Sequence, residues 1–143
     1  PPPSTTTYPA HSVNATYNDL IQLVGYDIPG GTTRAAGDVL PVSLLWHTLE
    51  PIPQNYTVAL FLLAPDGTLI TQSDASPSRL TPAPTSQWPL EQPILDNHHL
   101  ILPKKLPAGT YTLQVGLYHP QTLERLPIPV NNDILKLGAI EVR

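Results

Sequence analysis

Between Pro107 and Pro127 the chain reads PAGTYTLQVGLYHPQTLERLP, with apolar side chains at every second position of its middle part. Tyr111, Leu113, Val115 and Leu117 fall on one side of an extended chain, and Thr112, Gln114 and Gly116 fall on the other. A period of two belongs to a strand with one buried face, not to a helix with its period of about 3.6. Pro107-Ala108-Gly109 before the run and His119-Pro120-Gln121 after it are turn chemistry. Such a segment commits its chain to sheet structure.

The same pattern recurs along the chain. Leu20 to Asp27 is the first strand candidate, with Tyr17-Asn18-Asp19 as its lead-in, and a loop through Pro29-Gly30-Gly31 follows. Val39 to Thr48 puts Leu40, Val42, Leu44 and Trp46 on one face. Pro41 inside that run predicts an edge position or a bulge, because proline brings no ladder N–H. Tyr56 to Ala64 is almost continuously apolar, as expected of a central strand covered on both faces. Pro65-Asp66-Gly67 is a hairpin turn into Thr68 to Asp74. A long Pro, Ser and Thr-rich loop from Ala75 to Pro93 carries Trp88. Ile94 to Leu102 and Ile134 to Val142 complete the set. No sustained apolar repeat at i, i+3, i+4, i+7 is present. The expectation is an all-β, immunoglobulin-like antiparallel sandwich of about seven or eight strands.

The chain has 143 residues, most economically one domain with a core large enough to stand without staples. It has no cysteine, so disulfides and thiolate metal sites are excluded. Its 19 prolines lie mostly between the apolar runs, where they stop strands and stiffen loops. The opening PPPSTTT resembles a linker, and the division expected is a Pro/Thr-rich linker over 1–13 and one sandwich domain over 14–143. A formal charge of −4 and the lack of a basic block interleaved with aromatics argue against a nucleic-acid partner.

Few residues invite a chemical role. His98 and His99 look like a metal pair, but neighbours in a strand point to opposite faces and cannot chelate one ion. Asp96 and His98 do share a face; without a third ligand the pair reads as a solvated polar face. Asn131-Asn132-Asp133 clusters oxygen ligands as a weak calcium candidate, without the glycine and distal glutamate of an EF-hand loop. Trp88 is the best candidate for an aromatic that stacks on a sugar, although a loop tryptophan more often packs its loop onto the core. Trp46 and Tyr111 alternate with apolar residues and read as core. No nucleophile elbow, carboxylate couple, phosphate loop or dinucleotide fingerprint occurs, so no catalytic residue and no cofactor are expected.

An ordered series of short motifs resembles a known bacterial domain. It runs through Ile21-Gln22-Leu23-Val24-Gly25-Tyr26-Asp27, Gly37-Asp38, Leu44-Leu45-Trp46, Tyr56-Thr57-Val58, Pro65-Asp66-Gly67 and Gln72-Ser73-Asp74. It continues with Pro84-Thr85-Ser86-Gln87-Trp88, Asp96, Pro107-Ala108-Gly109-Thr110-Tyr111, Val115-Gly116-Leu117-Tyr118 and Glu124-Arg125-Leu126-Pro127. Over about Asn14 to Val142 the series is similar to the C-terminal soluble domain of membrane-embedded glycosyltransferases of the protein-mannosyltransferase type, found in green non-sulfur bacteria. His119-Pro120 departs from the Asp-Pro common at that place. The resemblance implies a non-catalytic accessory sandwich on the extracytoplasmic side of the cell membrane. Its implied partners are the membrane-embedded catalytic part of the same chain and a glycan or protein acceptor. The other expectations are a carbohydrate-binding module, or a structural or interaction sandwich without a small-molecule ligand.

Overall fold

In the computed structural model, which describes residues 11–75, 85–90, 93–127 and 135–143, the alternating segments become the strands of two packed sheets. In chain order the strands are β1 (His11–Tyr17), β2 (Ile21–Asp27), β3 (Thr33–Arg34), β4 (Val39–Thr48) and β5 (Thr57–Leu63). They continue with β6 (Leu69–Ala75), β7 (Pro93–Ile101), β8 (Gly109–Tyr118) and β9 (Leu135–Val142). One sheet has four strands in the order β1-β2-β4-β7, and the other has five in the order β3-β9-β8-β5-β6. Every pairing is antiparallel except β3 with β9. The chain crosses between sheets after β2, β3, β4, β6 and β7, which gives an immunoglobulin-like sandwich of nine strands among the described residues.

Sheet packing follows from the alternation. Leu40, Val42, Leu44 and Trp46 of β4 face Val58, Leu60 and Leu62 of β5 and Tyr111, Leu113, Val115 and Leu117 of β8 in one buried cluster. Those positions are almost fully removed from water, and each buried aliphatic side chain contributes on the order of 1.5–3 kcal/mol. Tyr111, near the start of β8, donates its hydroxyl to the Pro107 carbonyl at 2.7 Å. That contact locks the corner between β7 and β8, as the tyrosine corner of immunoglobulin-like sandwiches does.

Seven of the nine strands coincide with the alternating segments to within a residue or so. The two additions have physical explanations. β1 covers the last three residues of the segment read as linker, 1–13, and its connection to β2 is a turn, not a lead-in. Asn18 and Asp19 both have positive φ, at 51° and 56°, the signature of a type I′ turn closed by Leu20 N–H to the Tyr17 carbonyl at 2.9 Å. β3 is only two residues long, too short for any period to show.

Two further expectations change in detail. β5 is central in its sheet but only one of its faces is buried deep in the sandwich. Val58, Leu60 and Leu62 point inward, whereas Phe61 and Leu63 are only half-buried on the outer face. Pro41 lies within β4, beyond Ser43, the last residue that β2 pairs. It pairs with His99 of β7 alone, so it stands at a local edge as its missing N–H requires.

Candidate functional site

The carboxylate and imidazole two residues apart on β7 do share a face, but it is the inner one. Asp96 is wholly buried and His98 is 1 % exposed, which corrects the solvated reading. His99 is exposed on the opposite face, as strand geometry demands. Register places Asp96 opposite Leu44 and His98 opposite Val42, in the middle of the inner face. Asp96 Oδ2 accepts a hydrogen bond from Trp46 Nε1 at 3.0 Å and lies 2.6 Å from His98 Nε2. His98 Nδ1 is buried and has no hydrogen-bond partner among the described residues. This cluster has the residue types of general acid–base chemistry without access to a solute, and it anchors the core.

Trp88 is not a stacking surface either. Its ring is 5 % exposed and lies 6.2 Å from the ring of Trp46. A single 3-10 turn, Thr85–Gln87, presents it. Thr85 Oγ1 accepts the Tyr56 N–H at 2.9 Å and donates to the Gln54 carbonyl at 2.7 Å. Trp88 N–H closes the turn on the Thr85 carbonyl at 3.1 Å. The loop therefore carries its tryptophan down onto the core, and the sugar-stacking assignment is withdrawn. Asn131, Asn132 and Asp133, the calcium candidates, lie outside the described residues. Among the described residues no group of three or more His, Asp or Glu side chains is placed to hold a metal ion.

Open clefts occur instead around the hairpin that follows β8. Leu126 N–H returns to the Leu117 carbonyl at 2.9 Å, and Arg125 pairs with Tyr118 beside the end of β8. His119 and Leu123 close the tip through Leu123 N–H to the His119 carbonyl, 2.8 Å, and His119 N–H to the Glu124 carbonyl, 2.8 Å. His119 Nδ1 accepts the N–H groups of Gln121 and Thr122, and its ring meets Tyr56 edge-on at 6.4 Å. On one side of this hairpin a cleft of about 320 Å³ is bounded by Gln54, Tyr56, His119, Glu124 and Arg125. On the other, over the outer face of the five-stranded sheet, a cleft of about 270 Å³ is lined by Phe61, Gln72, Asp74, Tyr118, Leu123 and Arg125.

The outer-face cleft has an ordered floor. Ala59 of β5 pairs with both Gly116 of β8 and Asp74 of β6. Tyr118, rooted in β8, donates its hydroxyl to Asp74 Oδ2 at 2.9 Å on β6. Adjacent strands are about 4.8 Å apart, so the side chain must span the strand between and lie down across β5. The small residues Ala59 and Gly116 make room, and Ala59 is 1 % exposed although it faces outward. Gln72 Nε2 donates to both oxygens of Asp74, at 2.8 and 3.0 Å. Desolvation first, then the hydrogen bond and charge of Asp74, push the Tyr118 phenol above its ordinary value, so it remains a donor. Tyr118 is half-buried and lines the cleft. Composition and spacing gave no hint of this arrangement, because the participating residues meet only through strand register.

The fold defines an immunoglobulin-like β-sandwich domain. No protein-family model matches the chain, and no curated protein matches it. Among solved structures it resembles the C-terminal domain of Wzt at 12 % identity and a TM-score of 0.53, over 90 % of this chain and 77 % of that one. It also resembles a Niemann-Pick type C2 protein from the Japanese carpenter ant at 10 % identity and a TM-score of 0.50, over 94 % and 96 % of the two chains. At such identities the likeness concerns the fold alone.

Proposed function

We propose that the chain is a non-catalytic accessory domain of a membrane-embedded glycosyltransferase of the protein-mannosyltransferase type. In this reading the sandwich sits on the extracytoplasmic side, tethered to the membrane-embedded catalytic part of the same polypeptide, and engages the glycan or the protein acceptor. The observation that carries it is the outer-face cleft, where aromatic rings, a carboxylate, an amide and a guanidinium line one open surface. The ordered motif series supports the same assignment. The burial of Asp96 and His98 favours a domain that binds over one that turns substrate over.

The test uses the full product of the gene in membranes. Transfer of sugar from a lipid-linked donor to an acceptor peptide is measured with and without residues 11–143. The expected result is retention of the protein in the membrane fraction, with deletion raising the acceptor KM more than it lowers kcat. A gene product that contains no membrane part, or transfer that is indifferent to the deletion, would overturn the proposal.

A further inference from the structure

The cleft over the five-stranded sheet has more definition than a generic sandwich surface. Tyr118 is held at both ends, by its strand and by Asp74, so the ring that lines the cleft is presented at little conformational cost on binding. Among the described residues Asp74 Oδ1 accepts one hydrogen bond, from Gln72, and a carboxylate oxygen can accept a second. The amide oxygen of Gln72 is a second acceptor at the same edge. Phe61, two positions along β5 from Ala59, pairs with Gln72 and lines the same cleft.

Leu123 of the hairpin lines the same cleft. Leu123 has a φ of 64° and is 68 % exposed. A bulky residue in the left-handed region costs on the order of 1–2 kcal/mol. The conformation belongs to the hairpin closure, in which Leu123 N–H bonds the His119 carbonyl at 2.8 Å. The exposed Leu123 side chain gives the cleft an apolar lining residue beside the aromatic ones.

We infer that the Tyr118 platform is a subsite for one uncharged pyranose ring, stacked by its C–H face on the phenol ring with neighbouring hydroxyls donating to Asp74 and Gln72. The inference rests on the accessory-domain reading for its context, but it is carried by the cleft itself. Each feature corresponds to a part of such a ligand. The C–H face of a pyranose is apolar and flat, which suits an aromatic ring that lines the cleft. Its adjacent hydroxyls are donors, which suits a pair of acceptors in line. The lining carries one carboxylate, Asp74, and one guanidinium, Arg125, so it offers no net charge that favours an anionic sugar. A cleft of about 270 Å³ is below the usual size range for drug-sized ligands, so one ring fits and an extended oligosaccharide does not.

The test is a titration of the chain, isotope-labelled for NMR, with methyl α-mannopyranoside and methyl α-glucopyranoside, and with methyl glucuronoside as the charged control. The expected outcome is roughly millimolar affinity for a neutral glycoside, with shifts at Tyr118, Gln72 and Leu123. Tyr118→Ala should weaken binding at least about tenfold, and the exposed Asp74→Asn about threefold, the latter without a change in unfolding midpoint. Tyr118→Phe keeps the ring but frees it from Asp74, and should lie between the wild type and Tyr118→Ala. Equal affinity for the glucuronoside, or neutral binding unaffected by both Tyr118→Ala and Asp74→Asn, would overturn the assignment. So would the absence of any shift. Shifts confined to the Tyr56 and His119 cleft would overturn this subsite and leave the accessory-domain reading standing. Binding at Tyr118 by the product of a gene without a membrane part would do the reverse.

Discussion

Asp96 shows how much one buried side chain can hold. Its carboxylate satisfies the Trp46 indole N–H and His98 Nε2 in the centre of the sandwich. Asp96→Leu leaves both without a partner, and a loss of about 3 kcal/mol or more is expected in urea unfolding. Asp96→Leu with His98→Leu no longer leaves the imidazole orphaned, so the pair should cost less than the single change. Tyr17 makes a different prediction. Its ring is fully buried and donates to the Val115 carbonyl at 3.3 Å, and burial raises the phenol far above its ordinary value. In the unfolded chain the Tyr17 phenol titrates at about pH 10 and in the folded chain at higher pH, so above about pH 10 the unfolded state loses this proton first. The stability contributed by Tyr17 is therefore complete below about pH 10 and declines as pH rises further. Unfolding midpoints between pH 8 and 11 should show the decline, and Tyr17→Phe should flatten it.

Elements meet where single atoms permit. Tyr26 of β2 reaches across the sandwich and donates to the Leu137 carbonyl of β9 at 2.8 Å. A Cβ on Gly138 would lie 2.7 Å from that hydroxyl oxygen. The ring cannot simply swing away, because it is 7 % exposed and stacked 4.6 Å from His11. Gly138→Ala should destabilise by about 1–3 kcal/mol. Tyr26→Phe should cost less in that background than in the wild type, and a double-mutant cycle reads the coupling directly. For the loop between β6 and β7, Trp88→Ala should cost about 3–5 kcal/mol and alter Trp46 fluorescence, since the two indoles share one core.

At the scale of the molecule, one continuous apolar cluster joins both sheets, from Tyr17 and Ile21 to Ile140 and Val142. Far-ultraviolet dichroism and tryptophan fluorescence should accordingly report one coincident unfolding transition. Separate midpoints would mean that the sheets come apart independently. The clefts sit on the outside of this frame, around a hairpin whose strain and polarity the core does not require. That separation lets a sandwich carry a binding surface without compromising its packing.

The strands were legible in the chain because burial on one face writes a period of two, and Val39 to Thr48 is recovered residue for residue as β4. Turns were legible where glycine or proline mark them, as at Asp66-Gly67, and missed at Asn18-Asp19, where the left-handed conformation is shared by residues common in many settings. Facing was less legible. Asp96 and His98 were correctly placed on one side of β7, but which side looks inward depends on how two sheets close, and polar residues read as solvated until a buried indole is found opposite them. The Tyr118 platform was beyond reach for the same reason. Phe61, Asp74 and Tyr118 are dispersed in sequence and are neighbours only because β6, β5 and β8 pair in one register. Local alternation and turn chemistry determine a sandwich; non-local pairing and the packing of one sheet on the other decide what its faces carry.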